Sequence, residues 1–224
     1  MLARTRLLQM TSQAFPIGGY SHSYGLEAAI ESGQVRDEAS VQQWIADVLS
    51  FSIGTYEIPV LHEMSDAWIA LDSIALSRLN EQFLASRESA EPRSATVQMG
   101  FSMRALLAVL PNLPDFLLDT LRSMHEPTLP CVWSGAARAW AIPASDAAAA
   151  YLWSWAENQV LVAMKSVPIG QSSGQRVLLK IGEQIAQLDS RPHSTSGGTR
   201  STFAPGLAIL CSQHETQYSR LFRS

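Results

Sequence analysis

Charge is scarce in this sequence: only 16% of its 224 residues are charged, 20 acids against 16 bases, for a formal net charge of −4. A protein that grips phosphates needs a basic face. The basic residues here are outnumbered and scattered without a run, which argues against nucleic acid as a partner. Cysteine is nearly absent. Cys131 and Cys211 stand alone with no CxxC spacing, so neither a zinc knuckle nor a disulfide framework is expected. Long apolar runs are missing too. Met1 to Met10 has no stretch resembling a signal peptide, and no window offers the roughly 20 apolar residues of a membrane span. The richest one, Ala147 to Met164, is interrupted by Glu157, Asn158 and Gln159. The chain is therefore expected in the cytoplasm, away from membranes. Nothing alternates at period two and no fixed-length repeat is present, so strands and solenoid repeats are not expected.

What is present is apolar periodicity of three and four. Apolar residues make up 46% of the chain, enough for a sizeable core, and with so few charges some apolar surface is expected to be covered by partners. From Asp37, read as an N-cap, Val41, Trp44, Ile45, Val48 and Leu49 fall on one helical face. Asp72 is expected to cap a helix through Ile74, Leu76, Leu79 and Phe83. Pro92 is read as opening a long helix through Met99, Met103 and Leu110, with Pro111 and Pro114 separating it from the next. A segment near Cys131 to Ala141 ends before Pro143. Ser145 or Asp146 then starts a helix apolar nearly all round, placed at the centre of the bundle and stopped by Pro168. Ser172 or Ser173 starts another, with Val177, Leu178, Ile181, Ile185 and Leu188 on one stripe. The reading is one all-α helical bundle over residues 1–224, with a mobile Ser, Thr, Gly and Pro-rich loop at 190–206 and a docking tail at 214–224.

The usual catalytic patterns fail on inspection. His214-Glu215 begins like HExxH, but Tyr218 occupies the place of the second histidine; His62-Glu63 fails with Asp66. Gly170 to Gln175 lacks the lysine and hydroxyl that end a phosphate loop, and reads better as a glycine-containing helix start. His22 sits between Ser21 and Ser23, yet no acid partner is fixed for it. No catalytic, cofactor-binding or metal-ligating residue is assigned.

Three segments, in order, resemble the UreF family of urease accessory proteins: Phe15-Pro16-Ile17-Gly18-Gly19-Tyr20-Ser21-His22-Ser23-Tyr24-Gly25-Leu26-Glu27; Asn158 through Leu178, where Val167-Pro168-Ile169-Gly170-Gln171 and Gly174-Gln175 carry the match; and His214-Glu215 through Tyr218-Ser219-Arg220-Leu221-Phe222-Arg223-Ser224. Ala85 to Glu88 and Gln98-Met99-Gly100 add weaker matches. The run after Asn158 departs from that family's small-residue pattern. The resemblance implies an all-helical, dimerising scaffold without enzymatic activity. It implies pairing with UreH (also called UreD), recruitment of the GTPase UreG, and delivery of nickel to the urease apoprotein, with nickel as cargo rather than cofactor.

Partner contacts are expected at Tyr20, Tyr24, Glu27, Lys165, Tyr218, Arg220, Leu221, Phe222 and Arg223. Gly18 and Gly19 would expose Tyr20 and Tyr24, tyrosine being a favoured interface residue; packing on the helix near Leu26 is the alternative. Lys165, in an otherwise apolar stretch, should reach either water or a carboxylate of the GTPase. Tyr218 to Arg223 is expected to be loose until it docks on UreH, with Leu221 and Phe222 in an apolar groove; a tail packed on its own core is the other reading. Two further functions stay open: a small helical enzyme using His22, His62 or His125 as base, and a direct nickel carrier.

Overall fold

The computed structural model describes residues 1–189, 200–202 and 204–223. Among them every regular element is helical: α1 (Leu2–Thr11), α2 (Leu26–Glu31), α3 (Glu38–Val48), α4 (Ile58–Ile69), α5 (Ser73–Ala85), α6 (Ala90–Val109), α7 (Asp115–Ser123), α8 (Leu129–Ala139), α9 (Ala144–Ser166), α10 (Gln171–Asp189) and α11 (Pro205–His214), with a short 3₁₀ turn at Gly19–Ser21. The all-α expectation holds. Of the expected loop at 190–206, residues 190–199 and 203 lie outside the described residues, and from Pro205 the chain is helical.

Local chemistry sets the boundaries. The Asp37 carboxylate accepts from the Ser40 amide at 2.8 Å, and Asp72 accepts from Ala75 at 2.9 Å, so both expected caps are made. Pro92 lies inside the first turn of α6 rather than at its start, where a missing N–H costs no helical bond. Pro143 and Pro114 occupy the N-cap positions of α9 and α7.

One region went unread in the sequence. Between α3 and α4 the chain does not turn; it continues as a π-helix over Leu49–Glu57. Nine residues is long for this conformation, which is usually a single-turn bulge and frequent at functional sites. Thr55 closes it from the side, its hydroxyl donating to the Phe51 carbonyl at 2.9 Å and lying 2.9 Å from the Ser201 carbonyl.

The core is organised around α8, in which every residue from Leu129 to Ala137 is buried. It packs between α4, α6 and α9. Close approach to α6 depends on Gly100, where an added Cβ would fall 2.0 Å from the Pro127 carbonyl oxygen. Helix α9, expected at the centre, is the hub of the helices. It touches α10, α1, α2, α8, α4 and α3, and leaves Trp153, Trp155 and Met164 only partly buried. No helix among the described residues is long and apolar enough to cross a membrane.

Candidate partner-docking surface

Three left-handed residues, Gly18, Tyr24 (φ 52°) and Gly25, shape the segment after α1. Gly18 (φ 77°) precedes the 3₁₀ turn, and Gly25 (φ 79°) caps α2. Space is also tight at Gly25, where a Cβ would lie 3.1 Å from the Cys211 Sγ. The α2 cap places Glu27 in that helix's first turn, where a carboxylate suits the unpaired amides and the positive end of the helix dipole.

The C-terminal segment comes to rest on this turn. Glu27 accepts from the Leu221 amide at 2.7 Å through Oε1 and from the Phe222 amide at 3.1 Å through Oε2. The Arg223 amide donates to the Ser21 carbonyl at 2.8 Å. His214, with no solvent exposure, spans two carboxylates: Nδ1 lies 2.7 Å from Glu91 Oε2 and Nε2 3.1 Å from Glu27 Oε2. A neutral imidazole can donate to one of them, a charged one to both. Arg220 adds an ion pair to Glu91 at 2.9 Å, and Glu215 caps α6 by accepting from the Ala90 and Glu91 amides at 2.8 and 3.2 Å.

The middle motif reaches the same place from the other side. Asn158 Nδ2 donates to the His22 carbonyl at 2.7 Å, and the Lys165 ammonium lies 5.5 Å from the centre of the Phe222 ring. Burial, and then the nearby Arg223 guanidinium, push the His22 imidazole down to about 4. The three segments separated in sequence thus form one clasp, made of the 18–27 turn, α9 and the tail.

Several expectations are corrected by this arrangement. The tail is seated on the chain's own core rather than loose, because the Glu27 carboxylate and the Ser21 carbonyl supply acceptors for three successive amides. Phe222 is 9% exposed and packs inward, so it fills no partner's groove in this conformation. Glu27 is buried and fully engaged within the chain. Tyr24 also turns inward, its hydroxyl 3.8 Å from the Met99 sulfur, and packs against Trp155. Tyr20 stays half-exposed beside Glu157; burial, then the neighbouring carboxylate, push its hydroxyl up to about 12.

Left exposed are Tyr218 and Leu221, at 105% and 71% exposure, with exposed Arg220 and Arg223 on either side of Leu221-Phe222 in sequence. Leu221 and Phe222 lie in a bend that seats Phe222 and leaves Leu221 outside. His62 and His125 lie elsewhere, on α4 and before α8, and no group of three metal-ligating side chains forms among the described residues. The motif glycine Gly174 belongs to packing, its absent side chain leaving room for Met164 Sδ at 2.8 Å and Val160 at 3.1 Å.

Sequence reasoning missed a second polar cluster. Arg87 Nη1 pairs with Glu57 at 2.7 Å, and the Tyr151 hydroxyl donates to the other Glu57 oxygen at 2.7 Å, while the guanidinium stacks 4.3 Å from the Phe83 ring. Burial, then Glu57, hold the Tyr151 hydroxyl well above its ordinary range. Arg87 in a weakly matching segment was the one available signal for it.

The family model for UreF matches residues 35–182. The chain is 50% identical to the urease accessory protein UreF of Dechloromonas aromatica over 224 residues, covering 100% of this chain and 98% of that one. It is 48% identical to the UreF of an Azoarcus species, covering 100% and 97%, and 44% identical to that of Pseudomonas fluorescens, covering 97% of each. These relatives are named as accessory proteins, not enzymes. The chain belongs to the UreF family of urease accessory proteins.

Proposed function

We propose that this chain acts in the cytoplasm as a homodimeric scaffold for urease maturation, pairing with UreH/UreD and recruiting the GTPase UreG so that nickel, the cargo, reaches the urease apoprotein. One observation carries the reading: the three family segments meet in one clasp that leaves Tyr218 and Leu221 uncovered. Two large apolar side chains held out of the core by their own backbone are costly in water and useful only when covered. Arginine and tyrosine beside them match the composition of interface centres. Tyr20, Lys165, Arg220 and Arg223 would frame the contact, and Glu27, Tyr24 and Phe222 would act through the shape they give it.

The test is co-purification of UreH/UreD with the wild-type chain and with Leu221→Asp or Tyr218→Asp. Both substitutions are at exposed positions and should leave the melting temperature in place. Loss of the UreH/UreD complex with an unchanged fold is the expected result. Retained complex in both variants would move the interface elsewhere.

A further inference from the structure

His214 sits where three elements far apart in sequence meet. It ends α11, and its ring, with no solvent exposure, lies between Glu27 of α2 and Glu91 of α6. Both ring nitrogens are within hydrogen-bond reach of a carboxylate oxygen, Nδ1 at 2.7 Å and Nε2 at 3.1 Å. A neutral imidazole carries one N–H and one bare lone pair. In that form one nitrogen would turn its lone pair on a carboxylate, away from water.

The carboxylates do not offer a proton of their own. Glu27 Oε1 accepts from the Leu221 amide and Oε2 from the Phe222 amide, so both of its oxygens already act as acceptors. Glu91 Oε1 accepts from Arg220 Nη1 at 2.9 Å, and a proton on that carboxyl would forfeit the ion pair. Charge points the same way. Two carboxylates and one guanidinium leave one negative charge, which an imidazolium cancels, and a buried charge without its partner is costly. The last turn of a helix, with its unpaired carbonyls and negative dipole end, also favours a cation.

We infer that His214 closes the clasp as an imidazolium, one proton tying residues 214–223 to both α2 and α6, so that the clasp loosens when rising pH removes it. Nothing in this latch requires a partner chain. The other ionisable groups around the ring do not supply the switch. Cys211, one turn earlier on α11, is pushed up to about 12 by burial and then by Glu91, Glu215 and Glu88, with Arg87 partly offsetting them. Glu215 is occupied in capping α6. His22, which shares a groove with Glu91 and Arg223, is held down to about 4 and so is neutral above that pH. The guanidiniums of Arg220 and Arg223 do not lose their protons.

The test follows the proton on the whole chain labelled with ¹⁵N-histidine. At about pH 7.5, where a histidine in water is mostly neutral, both ring nitrogens of His214 should show the shift of a protonated nitrogen. Glu91→Gln removes one carboxylate, and at the same pH the ring should return to one protonated nitrogen. As the pH rises and the ring titrates, protection of the Leu221 and Phe222 amides, corrected for intrinsic exchange, should fall about tenfold per pH unit, as one proton per closing requires. Amides of α8 should keep theirs. A single protonated nitrogen on His214 in the wild-type chain at about pH 7.5 would overturn the inference. Protection at 221 and 222 that ignores pH, or falls only in step with α8, would overturn it too. Should Glu91→Gln not fold, the wild-type measurements decide by themselves.

Discussion

Two motif-bearing regions of this molecule are held in opposite ways. The α9–α10 hairpin, with Val167 to Gln175 at its bend, is joined by close backbone approach: Gly174 leaves room for Met164 and Val160. The tail is joined by polar bonds from Glu27, Ser21 and Glu91 to amides and side chains of residues 214–223. Packing of the first kind is lost only with the fold. Bonds of the second kind can be removed one at a time by substitution. The same family signature therefore marks a packed part in one place and a hydrogen-bonded part in the other.

The largest effect should come from Glu27→Ala, which leaves the Leu221 and Phe222 amides and one His214 nitrogen without acceptors. At about 1.5–3 kcal/mol per hydrogen bond to a charged group, the two amide bonds alone should account for roughly 3–6 kcal/mol. Chemical denaturation measures it, and rapid exchange at the amides of 221–223 would show that the tail has come away. An unchanged midpoint would mean the tail contributes nothing to the core.

Next is a pH effect on the same side. His22 titrates near 4 in the folded chain against about 6.5 unfolded, so the unfolded state takes up the proton first. Stability should therefore fall as pH drops from about 6.5 to 4, by up to roughly 3 kcal/mol, then level off for this group. His22→Gln should flatten that part of the curve, and a superimposable curve would remove His22 from the account.

Gly174→Val tests the hairpin. Forcing a branched side chain against Met164 and Val160 should cost about 1–3 kcal/mol, read as a lower denaturation midpoint with the tail's amide exchange unchanged. If the tail loosens in step, the two regions are not independent.

Arg220→Ala should be smallest on stability, under about 1 kcal/mol for a half-exposed pair with Glu91, while weakening the complex with UreH/UreD. A variant that melts early and still binds would assign Arg220 to the core alone.

Helix type was legible wherever the apolar period was strong and punctuated. Asp37, Asp72, Pro111, Pro143 and Pro168 marked real ends or starts. Helix α1 was not, because Arg4, Thr5 and Arg6 leave it without an apolar stripe. The π-helix was not either: a helix running on from Val48 to Ile58 shifts the period just where Phe51, Ile53 and Tyr56 would have marked a face. In the clasp, the residues were legible but their directions were not. Glu27 and Leu221 are 194 positions apart, and no local pattern says that one serves the other. That single pairing turned Glu27 and Phe222 inward and left Leu221 outside.

The separation also fixes when the docking face comes into being. A ribosome delivers the 18–27 turn first and residues 220–223 nearly two hundred peptide bonds later. Throughout that interval Glu27 has neither His214 nor the tail amides, and Leu221 and Tyr218 do not yet exist as a surface. A partner that recognises the clasp thereby ignores nascent chains and chains cut short before the tail. On the proposed function, recognition of this kind would proofread synthesis, admitting to assembly only molecules in which residues 221–223 have closed on the 18–27 turn.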